Sequence, residues 1–477
     1  MADQTRLHQL FARALACVEQ RDYQQAALLY QRATEVDPDS FAAWCNLAAI
    51  RLELRETAEA TAAARQAIAL KPDFGPAWAN LGDALRLTRG QADTSFDAYR
   101  RAAALMPDSA EVLNKLGASL QLRGRFPEAA ATLQRALALA PGYRDARVNL
   151  VTTLMAMQRA EAARDLLLQG TQLPGQRPEF LDVWRGALEL LEENLRLRPV
   201  LERALAQDDP APVLAATAQA RSERPVDEAL VETIRRALQG SGEISHRFPP
   251  WRPELADTWY AVEAHFSAHL GETVEAVAAT RRLLAGAAAQ QPAETGETLG
   301  AKEQNALRYY QLCQRSRPAG GLEPVVADGW LRFVHGCLTW HRPETTPGQF
   351  KIVPNSVTLN PAVIRTPPAQ VSGTLNAIRQ LCRERAEPGP VRAAAVYFAV
   401  ADIHPFPDGN GRLGRWLMND ELQTAGLAPV VSPDSSKPAF GQALWAIRRD
   451  RDFGPFVTWL ADCAAYTQEL VSHLDSR

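Results

Sequence analysis

The sequence has almost no lysine, 5 against 47 arginines in 477 residues. That bias is of the kind a GC-rich bacterial genome produces and carries no physical information about function. Cysteine is equally sparse. Six residues (Cys17, Cys45, Cys313, Cys337, Cys382 and Cys463) stand far apart with no CxxC pair, which excludes a disulfide framework or zinc cluster and leaves reduced structural thiols. Charge of neither sign dominates: the formal net charge is −3, so a broad electrostatic footprint for nucleic acid is excluded. No run approaches 18 apolar residues, which excludes an ordinary membrane span. The opening stretch, MADQTRLHQLFARALACVEQ, lacks the uninterrupted apolar core of a secretory signal. The expectation is a cytoplasmic protein, with export as an effector left open. What is present is ordinary globular material, 46% hydrophobic and 22% charged, enough for two or three domains.

Prolines recur at Pro38, Pro72, Pro107, Pro141 and Pro174, in steps of 34, 35, 34 and 33 residues. A fixed step in this range signals a solenoid of supersecondary units. Six residues after each proline stands a large or long side chain: Trp44, Trp78, Leu113, Arg147. Three further on come Leu47, Leu81, Leu116 and Leu150, then Ala48, Gly82, Gly117 and Val151. Small residues also recur ahead of the prolines, at Ala26, Ala60, Ser95 and Ala129, and again at Ala33, Ala67, Ala102 and Ala136. Small positions let paired helices approach, large ones fill the hole opposite, and proline stops the second helix. The pattern resembles the tetratricopeptide repeat over residues 7–174. Such arrays present a concave surface, so binding of a protein partner is expected; a spacer or a homodimerisation element remains open.

Residues 175–250 keep helical patterning, as in PVLERALAQ and VDEALVETIRRALQ, but lose the step. They read as a helical linker region, ending in the Gly-, Ser- and Pro-bearing SGEISHRFPPWRP. A further domain is expected over 251–477. Within it, GQFKIVPNSVTLNPAVIRTPP (348–368) has the β-branched residues and proline stops of a short β-hairpin or extended flap. VRAAAVYFAVADI (391–403) is a continuous apolar run that reads as a buried helix. His404 follows, then the turn PDGNG, then a second helix closed by Gly426. A helix N-terminus after a glycine-bearing turn is an anion site, because its first N–H groups are unpaired and sit at the positive end of the dipole. Gly409 and Gly411 admit phosphates close to the backbone. Asp408 is a hard oxygen ligand suited to Mg²⁺ shared with phosphates. Arg412 and Arg415 stand on one helix face and can fork onto phosphate. His404 can accept a hydroxyl proton at neutral pH.

The run HPFPDGNGRLGR resembles the Fic signature HxFx(D/E)GNGRxxR, filled at His404, Phe406, Asp408, Gly409, Asn410, Gly411, Arg412 and Arg415. The resemblance implies an all-α fold, a tetratricopeptide α-solenoid followed by a helical domain carrying a short β-hairpin flap. It implies transfer of a nucleoside monophosphate, usually AMP from ATP, to a Ser, Thr or Tyr hydroxyl of a target protein. His404 would be the general base, Asp408 would hold Mg²⁺, and Gly409, Asn410 and Gly411 would cradle the phosphates that Arg412 and Arg415 clamp. Phe406 reads as a buried anchor of the loop. Val363 and Ile364 fall at the tip of the flap that would align the target by backbone pairing, and Phe440 about where an aromatic residue meets the nucleobase. The resemblance spans about residues 255–465.

Many proteins of this family carry an inhibitory helix, (S/T)xxxE(G/N), whose glutamate pairs with the second signature arginine, here Arg415. That pattern is absent from the sequence. Placing FSAHLGETVEA (266–276) in its stead puts Leu270 at the glutamate position, with Glu272 as rival, and implies a weakened restraint. Other donors used in the family, UTP or another nucleotide or phosphocholine, remain alternatives, as does a repeat scaffold with a non-catalytic Fic domain.

Overall fold

The computed structural model describes residues 2–88, 90–174, 178–217, 224–240, 247–268, 273–289, 300–315, 328–339, 346–352 and 365–475. The chain divides into two compact units at Pro174/Gly175.

The first unit is a solenoid of helix pairs: α1 (Ala2–Glu19) with α2 (Tyr23–Val36), α3 (Phe41–Glu53) with α4 (Thr57–Leu70), α5 (Gly75–Leu87) with α6 (Ala92–Leu105), α7 (Ala110–Leu122) with α8 (Phe126–Leu139), and α9 (Arg144–Ala156) with α10 (Ala160–Gln172). Each second helix stops two residues before its proline, because a residue preceding proline is pushed out of the helical region. The large side chains six residues on do more than fill space. The Trp44 indole N–H donates to the Pro38 carbonyl at 2.9 Å, that of Trp78 to Pro72 at 2.8 Å, and the Arg147 guanidinium to Pro141 at 2.8 Å. Each therefore caps a carbonyl that the proline-terminated turn leaves open. The small positions are contacts: a β-carbon on Gly82 would lie 2.5 Å from the Tyr99 ring, and one on Gly117 2.6 Å from Leu133. Ala33, Ala67, Ala102 and Ala136 are all fully buried.

The second unit holds α11 (Pro178–Gln207), α12 (Ala211–Thr217), α13 (Glu228–Gly240), α14 (Ala256–Ser267), α15 (Val274–Ala289), α16 (Ala301–Gln314), α17 (Asp328–Thr339), α18 (Val371–Arg385), α19 (Pro390–Ile403), α20 (Asn410–Thr424), α21 (Lys437–Asp450) and α22 (Gly454–Asp475). From Gly175 on, the described part of the expected linker, 175–250, belongs to the second unit. Its helices supply Leu201, Val213, Val231 and Ile234 to the same core as Phe333, Phe350, Phe398 and Phe406. Arg332 of α17, 1% exposed, donates to Asn194 Oδ1 at 2.8 Å and Glu193 Oε1 at 3.1 Å, both on α11. The period is lost there because these helices pack on a globular core rather than on a neighbouring repeat. The described end of SGEISHRFPPWRP is also docked: Phe248 is buried, Trp251 N–H donates to the Gly426 carbonyl and Ala428 N–H to that of Pro249.

Helix α19 runs through the centre with Ala393 to Val400 all buried. Its Arg392 pairs with Glu421 of α20, both nearly inaccessible. Gly426 (φ 75°) closes α20 in the left-handed conformation, as the sequence predicts. Among the described residues there is no strand, only an isolated bridge between Pro250 and Leu427. Residues 353–364 of the expected hairpin flap lie outside the described residues, and its described ends, 348–352 and 365–368, carry no strand.

Candidate active site

His404 sits at the C-cap of α19 with φ 51° and ψ 60°. The helix stops there because Pro405 has no N–H to continue the ladder. Asn410, 3% exposed, then closes the loop on itself: its Oδ1 accepts from Phe406 N–H at 3.0 Å and its Nδ2 donates to the Phe406 carbonyl at 2.8 Å. The Asn410 side chain is thus engaged in holding the turn, and only its backbone N–H is left for an anion. Phe406 is the buried anchor the sequence implies. It is fully inaccessible and stacks on the His335 ring, centroids 3.8 Å apart and 2° from parallel.

His335, on α17, was not legible as a site residue. Its Nδ1 accepts from Gly348 N–H at 2.9 Å, so the proton must be on Nε2, which donates to the Asp408 carbonyl at 2.7 Å. Burial holds the imidazole down at about 3, so it is neutral and its tautomer fixed. Gly409 lies directly against it. A β-carbon there would come within 2.8 Å of Thr339 Cγ2 and 2.9 Å of His335 Nε2, and φ is +81° besides. Both facts require glycine. Gly411 is different: a β-carbon would meet nothing nearer than Arg415 Nη1 at 3.6 Å. No protein atom requires glycine at 411, and the surface there is open for a ligand.

Gly409 is the N-cap of α20, and its first turn has no side-chain cap hydrogen bond. Arg412 is turned toward the protein: it donates to Asn305 Oδ1 at 2.9 Å and to the Leu338 carbonyl near the end of α17 at 2.7 Å. Arg415 lines a cavity of about 210 Å³ with Glu263, Tyr309, Tyr397, Phe440 and Trp459. Phe440 packs edge-on to Tyr397 and 5.0 Å from Trp459, so one wall is aromatic. The cavity is also lined by Glu263 of α14, 3% exposed, with its Oε2 accepting from the Tyr309 hydroxyl at 3.3 Å. The Tyr309 phenol is raised by burial and by Glu263, and opposed by Arg415.

Burial, reinforced by the Arg365 and Lys351 cations, pushes His404 down to about 4. Lys351 is itself pushed down to about 7, by burial first and by Arg365 second. Arg365 is held by the Ala401 carbonyl at 2.7 Å and Asp402 at 2.8 Å. Asp408 is exposed, with its Oδ1 accepting from Gly409 N–H at 2.7 Å. Among the described residues no group of three or more His, Cys, Asp or Glu stands together. A divalent ion here fits the pattern of Mg²⁺ bound through one carboxylate and substrate phosphates, not a protein cage.

The fold therefore brings His404, Asp408, Gly409, Gly411, Arg412 and Arg415 onto one loop and helix start, and Phe440 into the cavity beside Arg415. Val363, Ile364, Leu270 and Glu272 lie outside the described residues. Glu263 is a buried carboxylate that lines the same cavity as Arg415. In WYAVEAHF, Trp259 and Ala264 stand where the (S/T)xxxE(G/N) pattern has its flanking residues. The available signal was a glutamate in the apolar stretch Trp259–Ala264.

Comparison with known proteins agrees with these features. Residues 330–422 match the Fic/DOC family model, and residues 29–62 and 120–183 match tetratricopeptide repeat models. Two curated relatives, the protein adenylyltransferases Fic of Drosophila virilis and Drosophila melanogaster, are 40% identical over 78 residues, 16% of this chain and 16% of each relative. The chain thus spans about a sixth of the length of those relatives. Among solved structures, the MamA protein matches at 17% identity and TM-score 0.32 over 36% of this chain and 92% of that one. The pilF protein of Pseudomonas aeruginosa matches at 18% and 0.35 over 46% and 92%. At such scores they carry no argument about function.

Proposed function

We propose that this chain, which carries tetratricopeptide repeats and a Fic domain, transfers AMP from ATP to a Ser, Thr or Tyr hydroxyl of a target protein. The target oxygen would attack the α-phosphorus, its proton would pass to the free imidazole nitrogen of His404, and pyrophosphate would leave. The observation that carries the reading is the junction of α19 and α20. A neutral histidine in a left-handed conformation opens the short loop that leads into a helix start whose Gly411 is open to a ligand. Backbone N–H groups at that helix start would bind the phosphates, with Arg415 reaching them from the cavity side. Arg412, tied to the end of α17, would buttress the loop and add positive charge. Mg²⁺, held by Asp408 and polyphosphate oxygens, would neutralise charge on the α- and β-phosphates. The base would lie against Phe440 and Trp459. Catalysis would be chiefly positioning and charge stabilisation. The test is labelling of proteins with ATP, CTP, GTP and UTP in turn, each with wild type and His404→Ala. Labelling by ATP that disappears in the variant supports the reading. Preference for UTP or another donor would reassign the substrate, and no labelling by any nucleotide would favour a binding scaffold.

The restraint on such a site is Glu263 in this reading, not Leu270 or Glu272. Its support is a nearly inaccessible carboxylate lining the same cavity as Arg415, where it would compete with a γ-phosphate for the guanidinium. Glu263→Gly should raise self-labelling and leave the fold intact; unchanged labelling would return Glu272 to consideration. The repeat array would recruit the target, and a cytoplasmic setting fits this chemistry.

A further inference from the structure

Lys351 is 1% exposed and takes no part in the reaction drawn above. It stands in a segment whose backbone is fastened on every side. Gly348 N–H is held by His335, Gln349 N–H by the Thr346 carbonyl at 3.0 Å, and the Phe350 carbonyl by Asn194 Nδ2 at 2.8 Å. From that frame Lys351 reaches the signature loop twice. Its backbone N–H donates to the Pro405 carbonyl at 2.8 Å, and its Nζ donates to the Ile403 carbonyl at 2.7 Å. Those two carbonyls flank His404. The Ile403 carbonyl belongs to the last turn of α19 and has no helical partner. His404 between them is left-handed (φ 51°), an uncommon conformation for a residue with a β-carbon.

We infer that Lys351 is a positioning residue for His404: it grips the carbonyl on either side and so fixes the backbone from which the imidazole projects. The inference rests on reading His404 as the base. Packing alone does not call for lysine here. A methionine of similar length would fill the volume without the desolvation cost of a buried ammonium. What lysine adds is a donor for the Ile403 carbonyl and a cation near the imidazole. The other charged groups acting on His404 are Arg365, which reinforces that cation, and Asp408, which opposes it.

The test compares wild type, Lys351→Met and Lys351→Arg in the full chain, with two readouts. In transfer assays Lys351→Met should lower kcat by about tenfold to a hundredfold, the scale of loss for a misplaced catalytic group. The ATP KM should stay within about threefold, and Lys351→Arg should recover most of the rate. Independently of transfer, NMR titration of the eight histidine rings, assigned with His404→Ala, should show His404 titrating at higher pH in Lys351→Met. Unchanged kcat with unchanged His404 titration overturns the proposal. So does an equal loss of kcat and ATP binding with a lowered unfolding temperature, which marks a general structural role. Should Lys351→Met not fold, Lys351→Gln gives the same two readouts. If wild type transfers no nucleotide, the reaction assignment fails, while the His404 titration still decides the role of Lys351.

Discussion

Substituting the two glycines of the signature should separate stability from activity. At Gly409 an alanine meets two costs. The left-handed backbone (φ +81°) costs a β-carbon-bearing residue roughly 1–2 kcal/mol. The new methyl group would overlap Thr339 Cγ2 and His335 Nε2, and His335 cannot recoil. It is stacked on Phe406 and bonded at both nitrogens, to Gly348 and to Asp408. Breaking one of those buried hydrogen bonds costs about 1–3 kcal/mol. Gly409→Ala should therefore destabilise the second unit by about 2–5 kcal/mol, adding those two principles. At Gly411 the added carbon meets nothing nearer than 3.6 Å, so Gly411→Ala should leave stability unchanged or raise it by about 0.4–1 kcal/mol. Transfer should nevertheless fall, because the carbon occupies the open face where phosphate would approach. Urea denaturation of the full chain, paired with nucleotide transfer by each variant, reads both quantities. The reasoning is refuted if Gly409→Ala unfolds within about 0.5 kcal/mol of wild type, the range of a neutral substitution. It is equally refuted if Gly411→Ala transfers at the wild-type rate.

Removing the Glu263 carboxylate (Glu263→Gly) should increase self-labelling several-fold, measured as label incorporated per minute; a decrease would mean that Glu263 assists rather than restrains. Because burial pushes His404 down to about 4, the proposed general base is already deprotonated at pH 6. Transfer should hold level from neutral pH down to about 5 and fall only near 4, whereas an acid limb centred on 6.5 would contradict the burial argument. His335, also depressed, binds protons more readily in the unfolded chain. Stability should therefore rise with pH through the range between its folded and unfolded values, full above about 6.5, and urea midpoints between pH 4 and 7 test the sign. Arg392→Met leaves Glu421 buried without its cation and should cost about 3–5 kcal/mol; a loss below about 1 kcal/mol would show that water reaches the pair.

The repeat array was legible because its signal is redundant. The proline step, the small contact positions and the bulky positions each predict the same helix pairs, and an error at Leu113, which has no cap to offer, changes nothing. The signature loop was legible for a related reason: glycine, aspartate and arginine at fixed offsets suit phosphate chemistry within one short stretch. Residues acting from elsewhere in the chain were not. Nothing local marks His335 or Lys351, whose meaning comes from meeting Asp408, Ile403 and Pro405 across α17 and the 346–352 segment. Glu263 was hidden by its neighbours, since Trp259 and Ala264 break the expected pattern while leaving the carboxylate facing the cavity. Asn410 and Arg412 were read as phosphate ligands from their place in the signature. The structure shows their side chains bonded within the loop and to α17, a division of labour that spacing cannot express. The segment 175–250 read as a linker because loss of a repeat step looks the same whether the chain leaves a domain or enters one.

The central claim is that the α-phosphate and nucleoside, not the terminal phosphate, are transferred and that His404 takes the hydroxyl proton. The direct measurement is incubation with ATP labelled at the α-phosphate in one sample and at the γ-phosphate in another, each with wild type and His404→Ala. Protein-bound label from the α-position alone, lost in His404→Ala, is the predicted result. Label from the γ-position, or α-label that persists without His404, would contradict the account.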